Sequence, residues 1–367
     1  GKRDLQDLSD KKDYPGGTIE TCKSIAFQEG ECVIFVDGLR FDAAKQLSEM
    51  LGGRGCIVEE QLVWAALPSV TSTGKAAASP VRRRIFGKEF DADFDPCVAE
   101  TGQSLKGGYH LKKLLNAEGW KVLGESEDGD GNGNGWCEFG DIDHSGHEWG
   151  WKLARNLDGI LREIVEKTAA LLRRGWKNVR IVTDHGWLLL PGGLPKTELS
   201  SALTESKWGR CAVMKEGAST KERMFPWFWN RNFLFALADG VGDFRKGEEY
   251  AHGGLSLQEC LLLELKVFPA AEKRGGLVEI TDIVWKGMRC VIAVEGAAEG
   301  LSADIRKEAG NPASSVVASV RGLKEDGMAS VVVVGDELEG SAAFIVLLDA
   351  DGEITAQIET TIGGGKK

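Results

Sequence analysis

Cys32-Val33-Ile34-Phe35-Val36-Asp37-Gly38 is an unbroken apolar run that stops at a carboxylate and a glycine. A short run of this kind reads as a strand buried on both faces, as in a parallel sheet. A helical pattern follows, with Phe41, Ala44, Leu47 and Leu51 on one face, and then Cys56-Ile57-Val58 reads as a second strand. Strand, helix and strand at that spacing make a βαβ unit. Further along, Trp151 to Arg174 is the longest helical pattern, ended by Gly175. Asn178 to Thr183 reads as another strand and runs straight into Asp184-His185-Gly186. Helix is expected again over Leu255 to Val267. The chain from 31 to 270 is therefore predicted to be an α/β domain, a sheet flanked by helices, behind a polar segment at 1–30.

The composition shifts near Ala270 to Gly276. Beyond it come β-rich runs at Leu277–Trp285, Arg289–Val294, Ser330–Val334, Ala342–Leu348 and Ile354–Ile358. Asp349-Ala350-Asp351-Gly352 is a turn between the last two. Residues 275–367 are thus predicted to form a small β-sandwich-like domain. Gly363-Gly364-Gly365-Lys366-Lys367 is expected to be a loose end. Asp130, Asn132, Asn134, Gly135 and Asp141 carry a faint calcium-loop spacing, set against the plainer reading of a Gly-rich loop.

The chain of 367 residues has a net charge of -11. A protein that coats nucleic acid by bulk charge should be basic, so that class is disfavoured. An acidic excess still suits a phosphate site if two divalent cations add roughly four positive charges where the carboxylates cluster. The eight cysteines are scattered, with no CxxC pair, and read as reduced thiols of a cytoplasmic protein. Gly1-Lys2-Arg3-Asp4 is no signal peptide, and no apolar run reaches the roughly 18 residues that a membrane span needs. The abrupt polar start suggests a piece of a longer protein.

The chemistry is concentrated. Of only five histidines, His144, His147, His185 and His252 sit in short segments flanked by Asp or Gly. Asp37, Asp184 and His185 each follow a strand, and ligands of open α/β sheets bind at the carboxyl ends of strands. Asp143 and His147, four residues apart in Asp143-His144-Ser145-Gly146-His147, make a two-ligand metal clip. Imidazole with carboxylate is the ordinary ligand set of zinc, and carboxylate-rich sets also suit manganese. Pro68-Ser69-Val70-Thr71-Ser72-Thr73-Gly74-Lys75 offers a cluster of hydroxyls ahead of an Ala-rich helical run, any of which could act as a nucleophile beside a metal. Each feature alone has a plainer reading. Asp37 could be a helix cap and Thr71 a turn hydroxyl. Arg82-Arg83-Arg84 could be a solvated face, or a guide for a phosphate backbone. The aromatic run Met224 to Trp229 reads as packing more readily than as a base-stacking platform. It is the joint set, in this order, that points to a metal centre.

Val36-Asp37-Gly38-Leu39-Arg40, Pro68-Ser69-Val70-Thr71, Asp143 to His147, Thr183-Asp184-His185-Gly186 and His252-Gly253-Gly254 together resemble the alkaline-phosphatase superfamily. Asp143-x-x-Gly146-His147-x-x-Gly150 is especially like its nucleotide pyrophosphatase/phosphodiesterase branch. Val182 to Trp187, Leu194-Pro195-Lys196 and Trp285 to Cys290 look like the PglZ proteins of BREX-type phage-defence systems, a resemblance that covers most of the chain. The resemblance implies an alkaline-phosphatase-like fold and two divalent ions, zinc foremost and manganese permitted. It implies that Asp143, His147 and His252 hold one metal, and that Asp37, Asp184 and His185 hold the other together with Thr71. Thr71 would be the nucleophile, with Arg40 and Lys75 facing substrate. The activity implied is a phosphodiesterase or nuclease acting on nucleotides or nucleic acid, in the company of other defence-complex proteins and away from membranes. The alternative is an assembly component of such a complex, with a structural or regulatory metal site.

Overall fold

The computed structural model describes residues 14–23, 25–269, 278–295, 300–324, 326–349 and 352–364. The chain divides into two compact units, Gly1–Pro269 and Ala270–Lys367. In the first, the order is β1 (Glu31–Phe35), α1 (Phe41–Gly53), β2 (Ile57–Trp64), α2 (Thr71–Ala78), α3 (Tyr109–Ala117), β3 (Trp120–Leu123), β4 (Asn134–Glu138), α4 (Ile142–Trp149), α5 (Leu153–Arg173) and β5 (Asn178–Val182). An inserted sheet follows, built from β6 (Thr204–Lys207), β7 (Cys211–Met214), β8 (Arg223–Trp227) and β9 (Asn230–Leu237), and then β10 (Leu261–Phe268) closes the unit.

The main sheet has six strands in the order β2-β10-β5-β1-β4-β3. Strands β3, β4, β1 and β5 are parallel, and β10 runs antiparallel to both β5 and β2. The expected βαβ unit is present as β1-α1-β2, but two strands lie between β1 and β2. The burial of β1 on both faces is visible residue by residue. Val33 and Phe35 join one apolar cluster, with Trp136, Trp227 and Phe235. Cys32, Ile34 and Val36 join another, with Leu47 of α1 and Ile164 of α5. Arg180 of β5 bonds to Glu31 and Glu264, so one buried guanidinium links β1, β5 and β10 through their side chains.

Two expectations change, and one open alternative closes. Leu255–Val267 is not a helix: a single turn at Leu257–Cys260 leads into the strand β10. An interior strand with both faces buried shows no period-two signal, so its apolar run imitates a buried helix. The calcium-loop spacing does not form a site, because Asn134 lies within β4 and its Oδ1 accepts the amides of Gly30 and Glu31. Asp130 pairs with Lys121 instead. The polar segment at 1–30 is not wholly polar in role, since Tyr14, Ile19 and Phe27 pack against the core; residues 1–13 lie outside the described residues.

The second unit contains β11 (Glu279–Lys286), β12 (Arg289–Glu295), β13 (Ser302–Arg306), β14 (Met328–Val332), β15 (Ala342–Leu348) and β16 (Ile354–Thr361). A three-stranded sheet β11-β12-β14 and a four-stranded sheet containing β13-β15-β16 share one core of Cys290, Ile292, Ile305, Val331, Ile345 and Leu347. β13 and the short strand Arg321–Gly322 are strands that the sequence reading missed. The composition shift at 270–276, Ala350 and Asp351 of the expected turn, and Gly365 to Lys367 of the expected loose end lie outside the described residues. No helix among the described residues is long and apolar enough to cross a membrane. All eight cysteines are free.

Candidate metal centre

Strands β1 and β5 are neighbours and parallel, so Asp37 and the Asp184-His185 pair leave the sheet side by side at its carboxyl edge. Asp184 is fixed by its Oδ1, which accepts the amides of Gly38 (3.3 Å) and His185 (3.0 Å). The peptide carbonyl of Asp37 accepts the amides of Ile142 and Asp143 at 3.1 and 3.2 Å, anchoring α4 to the same edge. Gly38 is needed there: its φ is +74°, and an added Cβ would press on Asp143 at 3.2 Å. On α4, Asp143 and His147 stand one helical turn apart and share a face. They sit inside a two-turn helix just ahead of α5.

Two groups of ligand atoms result, each drawn within 4.8 Å: Asp143, His147 and His252, and Asp37, Asp184 and His185. In the first, His252 Nε2 lies 3.3 Å from Asp143 Oδ1 and 3.2 Å from His147 Nε2. In the second, His185 Nε2 lies 3.6 Å from Asp37 Oδ1 and 3.5 Å from Asp184 Oδ2. The groups adjoin, because the rings of His185 and His252 stack with centroids 3.9 Å apart and planes within 3°.

The imidazole tautomers follow from acceptors that cannot donate. His252 Nδ1 faces the Ser69 carbonyl at 3.0 Å, and His185 Nδ1 faces the Gly186 carbonyl at 3.1 Å. Each Nδ1 therefore carries the proton, and each Nε2 turns a lone pair toward the carboxylates. Burial, with His185 alongside, pulls His252 down to about 4. Burial pushes Asp37 well above the usual carboxylate range, with Asp184 and Asp143 adding to it. Asp184 is likewise raised by burial. Asp143 is opposed by burial yet held low by His252, His185 and His147, and by the Tyr250 hydroxyl that donates to it at 2.8 Å.

A cation fits this arrangement. Asp184 Oδ2 is buried without a hydrogen-bond partner, and His185 Nε2, 3.5 Å away, offers a lone pair and no proton. A buried carboxylate oxygen facing only lone pairs is costly unless a positive ion stands between them. Both groups are mixed imidazole–carboxylate sets, suited to zinc and also to manganese.

Thr71 stands between the acceptors, its Oγ1 3.3 Å from Asp37 Oδ1 and 3.1 Å from His185 Nε2. The neighbouring hydroxyls are engaged elsewhere. Ser72 donates to the Asp93 carbonyl, and buried Thr73 accepts from Trp227 Nε1 at 2.9 Å. Trp229 Nε1 donates to the Thr73 carbonyl, so the aromatic run at 224–229 holds α2 in place and offers no stacking platform. Gly74 lets α2 come close: an added Cβ would fall 2.6 Å from Asp184 Cβ.

The other candidates separate. Arg40 forks onto Asp42 at 2.6 Å twice and covers the Trp187 ring at 3.7 Å. Lys75 is paired with Glu138 at 2.6 Å. Arg82 and Arg83 bond to the carbonyls of Lys23 and Ile19, and Arg84 pairs with Glu118, so the triple arginine is structural. Exposed His144 lies 3.6 Å from Glu148, and His110 is bound to the Ser104 carbonyl. Sequence reasoning missed Tyr250, whose ring stands nearly perpendicular to that of His147 with centroids 4.9 Å apart; its place two residues before His252 was the available signal. It also missed the pair Arg210–Glu259, both fully buried. Glu259 accepts the Gly254 amide at 2.8 Å and so clamps the His252 loop.

No family model matches this chain, and no curated protein matches it. Among solved structures, murine ectonucleotide pyrophosphatase/phosphodiesterase 5 is similar at 11% identity, covering 66% of this chain and 88% of that one, with a TM-score of 0.43. An inactive variant of the same murine protein in complex with AMP is similar at 11% identity, covering 66% and 89%, with a TM-score of 0.45.

Proposed function

We propose that this centre is a two-metal phosphohydrolase site that cleaves phosphodiesters of nucleotides or nucleic acid through Thr71. The observation that carries the reading is the placement of one threonine hydroxyl within hydrogen-bond reach of Asp37 and His185, where two mixed ligand groups adjoin. Asp143, His147 and His252 would hold one cation; Asp37, Asp184, His185 and Thr71 the other. Two divalent ions, zinc foremost, would supply Lewis-acid polarisation of the phosphoryl oxygens and favour loss of the threonine proton.

The chain's own groups do the positioning. Asp37 Oδ1 orients the Thr71 hydroxyl, and Tyr250 steadies Asp143. Thr71 Oγ1 forms a bond to phosphorus, and the ester oxygen leaves with the electron pair. Water then attacks the phosphothreonine, returning the hydroxyl and releasing the second product. The motif order resembling PglZ proteins supports a place in antiphage defence, where the protein would also meet other defence-complex subunits.

The test is metal analysis of the purified protein together with hydrolysis of bis-p-nitrophenyl phosphate, with and without chelator. About two metals per chain, turnover lost on chelation, and a folded Thr71→Ala variant without turnover are expected. Metal-dependent turnover retained in Thr71→Ala would overturn the nucleophile. Tight metal binding with no turnover on any phosphate ester would favour a structural or regulatory site in an assembly subunit.

A further inference from the structure

Lys75 follows Thr71 by one helical turn on α2, so the two side chains stand on the same face. Its ammonium lies 5.0 Å from the centroid of the Phe35 ring and ends 2.6 Å from Glu138 Oε2. Glu138 closes β4, and its Cα pairs with that of Phe35, two residues before Asp37. The pair therefore spans from the helix of the hydroxyl to the strand beside Asp37. Both side chains are half-buried, at 21% and 28% exposure, so solvent screens them less than a surface pair. Glu138 is itself held, with Trp136 Nε1–H donating to Oε1 at 3.5 Å and Lys112 Nζ 3.9 Å away.

We propose that Glu138 sets the charge preference of this site by holding Lys75, so that it takes singly charged phosphodiesters over doubly charged phosphomonoesters. The inference rests on the phosphohydrolase reading above. The carboxylates of Asp37, Asp143 and Asp184 offset most of the charge of two divalent cations, leaving about one positive charge. Lys75 alone would raise that to about two, a match for a monoester carrying between one and a half and two negative charges at neutral pH. Glu138, 2.6 Å from Lys75 and 3.9 Å from the more exposed Lys112, offsets the addition and returns the balance toward that of a diester monoanion.

Three variants decide the matter: Glu138→Gln, Lys75→Gln and the two combined. The readout is the ratio of kcat/KM for p-nitrophenyl phosphate to that for bis-p-nitrophenyl phosphate. Glu138→Gln is expected to raise the ratio on the order of ten-fold and Lys75→Gln to lower it comparably, with the double variant near the wild type. The second readout is calorimetric binding of inorganic phosphate against dimethyl phosphate to the metal-loaded proteins, in which Glu138→Gln should tighten phosphate alone. A ratio unchanged in Glu138→Gln, or raised equally when Lys75 is also absent, overturns the inference. Should Glu138→Gln not fold, Lys75→Gln decides by itself, because the inference requires its ratio to fall. Wild-type protein that hydrolyses neither ester overturns the phosphohydrolase reading instead, and the phosphate-binding arm still decides whether Glu138 governs anion charge.

Discussion

Ser69 grips the His252 segment from two sides: its carbonyl accepts the Nδ1–H of His252 at 3.0 Å, and its hydroxyl donates to the Gly254 carbonyl at 2.8 Å. Ser69 lies two residues before Thr71, so the hydroxyl loop and the imidazole loop are tied at one point. Ser69→Ala keeps the carbonyl and removes the hydroxyl. The expected result is a stability loss of about 1 kcal/mol and weaker zinc binding, smaller in effect than that of His252→Ala. Denaturant unfolding and a competitive zinc titration check both. Zinc affinity equal to that of the wild type would mean that the Ser69 hydroxyl does not help to position His252.

The partnerless Oδ2 of Asp184 gives a crossed prediction. Without metal, Asp37, Asp143 and Asp184 repel one another; with metal, they are what binds it. Asp184→Asn should therefore raise the melting temperature of chelated protein and lower that of zinc-supplied protein, each relative to wild type. Asn retains the Oδ1 that accepts the Gly38 and His185 amides, so the fold is not the variable. Shifts in the same direction under both conditions would exclude a cation at this carboxylate.

These residues differ in how far the sequence announces them. Asp37 and Asp184 were legible because a polar residue ending a buried parallel strand needs a partner, and strand ends are where sites form. Asp143 and His147 were legible because a carboxylate and an imidazole four residues apart make a two-ligand clip. Strand β10 was not, because an interior strand with two buried faces has no alternation to read. Glu138, Ser69 and Glu259 were not, because each acts through a residue distant in the chain: Lys75, Gly254 and Arg210 are met only after folding. The role of Lys75 hinged on Glu138, a partner distant in the chain, and that of Arg40 on Asp42 two residues on.

Arg210 and Glu259 form an ion pair with neither side chain exposed. Arg210 also bonds to the Gly240 and Gly242 carbonyls, while Glu259 takes the Gly254 amide and the Ser256 hydroxyl. Glu259→Gln leaves a buried guanidinium without its counter-charge, and a loss on the order of 3 kcal/mol is expected. The acid response gives a second check. Burial opposes ionisation of Glu259, but Arg210 and its hydrogen bonds hold its pKa below the ordinary value. Its contribution is thus complete above the unfolded-state value and is lost as pH falls through the folded one. Urea unfolding at neutral pH and at successively lower pH should show the gap between wild type and Glu259→Gln narrowing with acid. A gap independent of pH would place the effect elsewhere.

Asp95 predicts the opposite sign. Burial, with Asp91 beside it, pushes its carboxyl up from 3.8 to about 6, against the pull of Lys106. A folded value above the unfolded one means that the folded state binds the proton more tightly. The stabilising contribution is then complete below 3.8 and is lost as pH rises through about 6. Asp95→Asn, which keeps the shape without the charge, should be neutral near the lower value and stabilising above the higher one. Melting temperatures of both proteins across that range check it, with the difference expected to open as pH increases. A difference that is constant, or that opens toward acid, would mean that Asp95 is not held against ionisation in the fold.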